Sequence, residues 1–84
     1  MSDGRSTDIV ARSGGVMTDE VGAVTGELTL RTEVDADGVV VQRVQYRGAD
    51  EWYLVTGSRT TLADGRTLDD IHNEAVAQLS RPAS

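Results

Sequence analysis

The densest group of chemically active side chains lies near the C-terminal end, where three aspartates accompany the single histidine: Asp64, Asp69, Asp70 and His72. Carboxylates beside an imidazole could hold a metal ion or act as a general base. Asp69 and Asp70, however, are adjacent in a predicted helix and point about 100° apart, and His72 borders the apolar stripe of that helix. Helix capping and a packed boundary histidine explain this group, so we predict neither a catalytic residue nor a metal ligand.

Composition limits the remaining chemistry. The chain has no cysteine, which excludes thiol catalysis, disulfides and thiolate metal sites. It also lacks the G-x-S-x-G nucleophile elbow and the glycine-rich phosphate loops. Residues 35–38 (D-A-D-G) begin like a calcium loop, but the required downstream glutamate is absent, so this run predicts a turn. The sequence therefore predicts a protein that is not an enzyme and has no cofactor.

The charge balance narrows the possible partners. Eight basic residues, all of them arginine, and fourteen acidic residues give the 84-residue chain a formal net charge of −6. An acidic chain is poorly suited to phosphate-rich partners. The chain also has no apolar run long enough to cross a membrane, and its polar N-terminus lacks the apolar segment of a signal peptide. We expect a cytoplasmic protein without membrane contact, and nucleic acid is a disfavoured partner.

A β-hairpin is predicted over residues 27–47, where apolar and polar side chains alternate. The D-A-D-G run between its strands suits a three-residue loop with Gly38 in the left-handed region. That loop places Leu30 opposite Val44. A register shifted by one residue would mix apolar and polar side chains on each face, so we expect the unshifted one.

A third strand is predicted over residues 51–62, following a turn at residues 48–50. The same loop geometry applied to this turn places Tyr46 opposite Trp52. Gly57 within the third strand indicates a bulge, a bend or a close backbone approach.

One amphipathic helix is predicted after a turn at residues 63–65. Thr67 suits the N-cap, aspartates in the first turn suit the helix dipole, and Pro82 ends the helix near Ser80 or Arg81. Its apolar stripe comprises Leu68, Ile71, Ala75, Val76 and Leu79. This stripe is expected to cover the even-numbered face of the sheet, which comprises Leu28, Leu30, Val34, Val40, Val44, Tyr46, Trp52 and Leu54.

The N-terminal segment is rich in glycine and has no sustained periodicity. We predict that residues 1–24 form a flexible N-terminal tail and residues 25–82 a single β-β-β-α domain. A short strand at 7–12 or a helical turn at 18–23 is an open alternative. The expected fold class is α+β, a three-stranded antiparallel β-meander with one C-terminal amphipathic helix packed on one face. A chain that starts at Met17 is accordingly expected to fold.

The odd-numbered face of this sheet is the predicted contact surface, because one helix covers only the other face. An apolar patch with an arginine rim is typical of protein interfaces. We therefore predict a non-enzymatic interaction domain, an accessory protein, regulator or inhibitor, that binds a protein partner or a second copy of itself. Replacing Val55 with Asp is expected to abolish association without unfolding the chain. The predicted partner-binding residues are Val41, Arg43, Arg47, Tyr53, Val55 and Arg59.

Three alternatives to this interface are open. The face could simply be solvated, or the N-terminal tail could cover it. It could also bind single-stranded nucleic acid, with Tyr53 stacking on bases and the arginines contacting phosphates.

Overall fold

The computed structural model describes residues 3–62 and 66–81, in which seven strands and one helix form an α+β fold. One antiparallel sheet has five strands and the other has two. The strands are β1 (Asp3–Val10), β2 (Val16–Thr18), β3 (Gly22–Val24), β4 (Glu27–Val34), β5 (Val39–Tyr46), β6 (Tyr53–Leu54) and β7 (Thr60–Thr61), and the helix is α1 (Leu68–Leu79). In the larger sheet β4 lies between β1 and β5, and β5 pairs with both β6 and β7. In the smaller sheet β2 pairs with β3.

The predicted hairpin is confirmed as β4 and β5. Leu30 faces Val44, as the three-residue loop requires, and Gly38 has a φ of 80°. The Asp35 carboxylate closes the turn by accepting hydrogen bonds from the amides of Asp37 (2.9 Å) and Val39 (3.0 Å). Because the turn and the apolar alternation demand the same register, this part of the fold is fixed locally.

The third predicted strand is shifted by one residue. Val44 faces Tyr53, so Trp52 does not lie opposite Tyr46 as predicted. The strand is also broken into β6 and β7 by a turn in which the Ser58 amide donates to the Val55 carbonyl (3.2 Å). The glycine of that turn, Gly57, has a φ of 72°, in line with the expected irregularity.

The shift follows from the β2–β3 hairpin. Thr18 forms a bridge with Val55, and the Thr56 amide donates to the Met17 carbonyl (2.9 Å). This hairpin therefore lies against the outer edge of β6 and supplies apolar contacts that the local pattern did not contain. As a result Val55 is buried, with 7% of its surface exposed, whereas Tyr46 is 43% exposed.

The prediction of a three-stranded sheet is wrong, and the additional strand comes from the segment predicted to be a flexible tail. All eight residues of β1 pair with β4, placing Thr7 opposite Leu30 and Ile9 opposite Leu28. Ile9 is only 4% exposed. The strand is stabilised by its pairing and by α1, which packs on both β1 and β4, so it needs no long apolar run of its own.

The helix begins and ends as predicted. The Thr67 side chain accepts from the Asp70 amide, and the Asp70 carboxylate accepts from the Thr67 amide, forming a capping box. The helix ends at Leu79, with Ser80 as its C-cap. Pro82 and the predicted turn at residues 63–65 lie outside the described residues.

The core lies between the helix, the larger sheet and the β2–β3 hairpin. Of the predicted core residues, Leu28, Leu30, Val40 and Val44 are buried, Val34, Trp52 and Leu54 are half-buried, and Tyr46 is exposed. The core cluster comprises Ile9, Ala11, Val16, Val24, Leu28, Leu30, Val44, Val55, Ala75 and Leu79. Within residues 3–62 and 66–81, no helix is long and apolar enough to span a membrane.

Candidate functional sites

The residues predicted to bind a partner do not share one surface. Val41 and Arg43 lie on the face of the larger sheet that α1 does not cover, here called the open face. Tyr53 lies opposite Val44 and packs against the core, and Val55 is part of the core. The one-residue shift in β6 moved both to the other side of the sheet.

The two remaining predicted residues, Arg47 and Arg59, lie apart from Val41 and Arg43. Arg47 follows β5, where its guanidinium donates to the Ile9 carbonyl (2.9 Å) and forms an ion pair with Glu27 (3.3 Å). Arg59 is exposed in the segment between β6 and β7. Tyr53 donates its hydroxyl to Glu51 (3.0 Å), and this hydrogen bond raises the pKa of Tyr53.

The open face carries charges of both signs in close proximity. The Glu33 carboxylate lies 3.1 Å from the Arg31 guanidinium and 3.9 Å from that of Arg43. These pairs are partly exposed, so each contributes little to stability. They do, however, neutralise much of the positive field that the arginines would otherwise present to a polyanion.

The outer edge of β1 is a second candidate site. The Ala11 amide donates to the Gly26 carbonyl on the β4 side (2.8 Å), and the Val10 carbonyl accepts from the Arg81 amide on the other side (2.8 Å). Backbone groups alternate sides along a strand. The even-numbered residues of β1 therefore direct their amides and carbonyls outwards, and from Gly4 to Asp8 no strand among the described residues pairs with that edge.

Charged side chains border this free edge. The Arg31 guanidinium lies over Gly4, in the space a β-carbon would occupy, and donates to the Ser6 hydroxyl (3.2 Å). Asp8 is exposed at the other end of the edge, where its carboxylate accepts from the Thr29 hydroxyl (2.9 Å).

A cleft of about 550 Å³ lies on the helix side of the sheet. The helix packs on β1 and β4, which leaves the space above β5 and the β6–β7 segment partly open. Val55, Ala75 and Leu79 line it with buried apolar surface, and Gln42 adds a buried carboxamide. Its volume falls in the range of small-molecule sites, about 300–1,000 Å³.

A chain of buried hydrogen bonds runs from this cleft towards β1. The Thr32 hydroxyl donates to Gln42 Oε1, which can only accept. Thr32 must then accept from His72 Nδ1 (2.7 Å). This assigns the proton of the neutral ring to Nδ1, so Nε2 accepts from the Thr7 hydroxyl (2.7 Å). His72 therefore holds β1 and β4 together beneath the helix.

The environment of His72 gives a pH-dependent stability. Burial lowers the pKa of His72 below its ordinary 6.5; Asp69 on the helix acts to raise the pKa and Arg5 on β1 to lower it. Because the unfolded chain takes up a proton more readily, the contribution of the neutral ring is complete above about pH 6.5 and is lost as the pH falls towards the folded-state pKa.

We expect the unfolding free energy of the wild type to fall more between about pH 8 and about pH 5 than that of His72→Gln. Urea denaturation at both pH values measures the difference, and the shared carboxylates cancel in the comparison. Equal losses in the two proteins would contradict the assignment of a neutral buried imidazole.

Two of the aspartates that accompany His72 in the sequence do not surround it, because they have other partners. Asp69 pairs with Arg5 (2.6 Å) and Asp70 caps the helix, while Asp64 lies outside the described residues. Among residues 3–62 and 66–81 no group of His, Cys, Asp or Glu side chains is arranged to hold a metal ion.

Sequence reasoning missed the cleft and the buried polar chain, although for the polar chain a signal was present. The predicted hairpin register already placed Thr32 opposite Gln42 on the face assigned to the core. Two facing polar residues within an apolar face indicate a shared buried partner. That partner is His72, at the edge of the apolar stripe.

Comparison with known proteins adds no relationship to this geometry. No protein-family model matches the chain, and neither the curated proteins nor the solved structures returned a match.

Proposed function

We propose that this chain is a small non-enzymatic interaction domain that forms a homodimer and presents its open sheet face to a protein partner. The observation that carries this proposal is the outer edge of β1. From Gly4 to Asp8 this edge pairs with no strand among residues 3–62 and 66–81, and charges of opposite sign lie at its two ends. An exposed strand edge is a template for another strand.

The outward direction of the even-numbered backbone groups fixes how two copies would pair. An antiparallel arrangement centred on Ser6 pairs Ser6 with itself and Gly4 with Asp8 of the second copy. Such an arrangement is isologous, as a two-fold dimer requires. The Gly4 carbonyl already accepts from the Arg5 guanidinium (3.0 Å), and a carbonyl oxygen has a second lone pair for the new partner.

Charge complementarity supports this pairing. Because Arg31 lies over Gly4, its guanidinium would meet the Asp8 carboxylate of the second copy, in addition to the Arg47 guanidinium that lies 3.8 Å from Asp8 within each chain. The symmetry would generate this contact twice. At the far end of the edge the Arg81 amide already donates to the Val10 carbonyl. Pairing with a second copy is therefore confined to the residues before Val10.

This dimer would join the two open faces into one continuous surface. Its apolar part lies around β5 and β6, where Val41 and Leu54 are half-buried and flank Arg43. A partly apolar strip beside an arginine has the composition of a protein contact. Single-stranded nucleic acid is less favoured, since phosphates would compete with Glu33 for Arg31 and Arg43.

Replacing Ser6 with Pro tests the dimer. Proline removes an amide that faces outwards, away from β4, so a folded monomer is expected. Ser6→Thr keeps the amide and is the matched control, which should remain dimeric. Sedimentation measures the mass, and far-UV circular dichroism verifies the fold.

A charge exchange tests the register. Asp8→Arg should dissociate the dimer, because it would place like charges together, and combining it with Arg31→Asp should restore association. A wild-type protein that stays monomeric at about millimolar concentration, far above the dissociation constant of a stable dimer, would overturn the proposal. Salt-dependent binding of single-stranded RNA would instead favour the alternative.

A further inference from the structure

The cleft beside α1 combines an apolar floor with a concentration of hydrogen-bond donors. Val55, Ala75 and Leu79 are each less than a tenth exposed and supply the floor. The helix forms one wall, and the broken segment between β6 and β7 forms the other. This site lies on the opposite side of the sheet from the open face.

Gln42 contributes a side-chain NH₂ group that has no hydrogen-bond partner among the described residues. Its Oε1 accepts from Thr32, but its Nε2 has no hydrogen bond there. No fully buried side-chain nitrogen or oxygen in the described part of the chain is left unpaired. Since Gln42 is only 6% exposed and lines the cleft, its Nε2 must reach the space inside it.

Arg12 supplies the positive charge at this site. Its guanidinium donates to the carbonyls of Gln78 (3.2 Å) and Gly15 (3.4 Å), which are neutral acceptors, and further N–H groups are left over. The second arginine that lines the cleft, Arg66, is paired with Glu74 (2.6 Å). The cleft therefore has one cation not neutralised by a carboxylate among the described ion pairs.

We propose that this cleft binds a small organic carboxylate that carries an apolar group. The apolar group lies on Val55, Ala75 and Leu79, and the carboxylate accepts charge-assisted hydrogen bonds from Arg12. Gln42 Nε2 donates to an acceptor on the same ligand. A cationic or purely apolar ligand would leave these donors unpaired, which is unfavourable in a partly dry site.

Octanoate and octanamide are suitable probes, because they share the alkyl chain and differ in the charge of the head group. Calorimetric titration should give octanoate about ten-fold tighter binding than octanamide. The side-chain amide signal of Gln42 in a ¹⁵N-correlated NMR spectrum should shift on addition of octanoate.

Two variants separate charge from shape. Arg12→Gln should weaken octanoate binding about ten-fold and leave octanamide nearly unchanged, whereas Arg43→Gln removes an equal charge on the opposite face of the sheet and should change neither. Ala75→Met fills the floor and should weaken both probes.

Equal affinities for the two probes, or an unchanged octanoate affinity in Arg12→Gln, would overturn this proposal. The result is independent of the proposed dimer, since Ser6→Pro alters the far edge of the sheet and should retain octanoate binding. Far-UV circular dichroism of each variant distinguishes loss of the site from loss of the fold.

Discussion

A chain that begins at Met17 is expected not to fold. The truncation removes β1, which pairs along all eight of its residues with β4, and it removes the buried side chains of Ile9, Ala11 and Val16. It also removes Thr7, the hydrogen-bond partner of His72 Nε2. The free-energy cost of losing three core side chains is greater than the whole stability of a small domain, about 5 kcal/mol. Far-UV circular dichroism and the dispersion of amide NMR signals measure the outcome.

A peptide added in trans provides the control. Residues 1–16 supplied as a synthetic peptide should restore amide dispersion to the truncated chain, because the peptide carries every missing contact. The same peptide with Ile9→Asp should not restore it. A cooperative thermal transition in the truncated chain alone would show that residues 1–16 are not needed for folding, as expected of a flexible tail.

Replacing Val55 with Asp is expected to unfold the protein, contrary to the expectation from sequence. Val55 is 7% exposed within the core, and burying an unpaired carboxylate costs several kcal/mol. Urea denaturation should therefore show a largely unfolded chain in the absence of denaturant, since this cost is close to the total stability.

Leu54→Asp is the matched control, one residue earlier in the chain. Leu54 lies opposite Arg43 on the open face and is half-buried, so its replacement should leave the chain folded, with a loss of about 1–2 kcal/mol. If Leu54→Asp unfolded the chain and Val55→Asp did not, the register first predicted for the third strand would be correct after all.

The elements that sequence predicted well are those whose signals are local. In the β4–β5 hairpin, Gly38 fixes the loop, and the alternation of residues such as Leu30 and Val44 demands the same register. In the helix, Thr67 and Asp70 satisfy the first turn by themselves. In these elements, nearby residues define where the element begins, where it ends and which side is buried. No distant contact was needed to predict them.

The third strand shows why the rest could not be predicted. Trp52 and Leu54 are apolar, and so are Tyr53 and Val55, so alternation does not choose between the two faces. The choice comes from the β2–β3 hairpin, which lies about thirty-five residues earlier in the chain. Its Thr18 lies opposite Val55, and hydrogen bonds from the Thr56 amide to the Met17 carbonyl and from the Asp19 amide to the Leu54 carbonyl hold the two segments together. The predicted interface depended on that choice, which explains why its members were divided between two surfaces.

A short strand at 7–12 was an open alternative, but the full length and pairing of β1 were hidden for a related reason. Its side chains on the helix side include Arg5 and Thr7, whose partners are Asp69 and His72 near the other end of the chain. A polar strand stabilised by such distant partners has no apolar period to detect. The open edge of β1 and the cleft both depend on this long-range arrangement, so neither was predictable.

The contact between the end of β1 and the end of α1 affects the order of folding. Ala11 forms a bridge with Ser80, and the Arg12 amide donates to the Leu79 carbonyl (2.9 Å). The residues that follow β1 are therefore hydrogen-bonded to the end of α1. A chain in which α1 has not yet docked would expose Leu28 and Leu30 to solvent. Folding is therefore expected to be slow for a domain of this size, because contacts between distant segments retard the rate-limiting step. Until α1 docks, the incomplete sheet would be a substrate for chaperones that recognise exposed apolar strands.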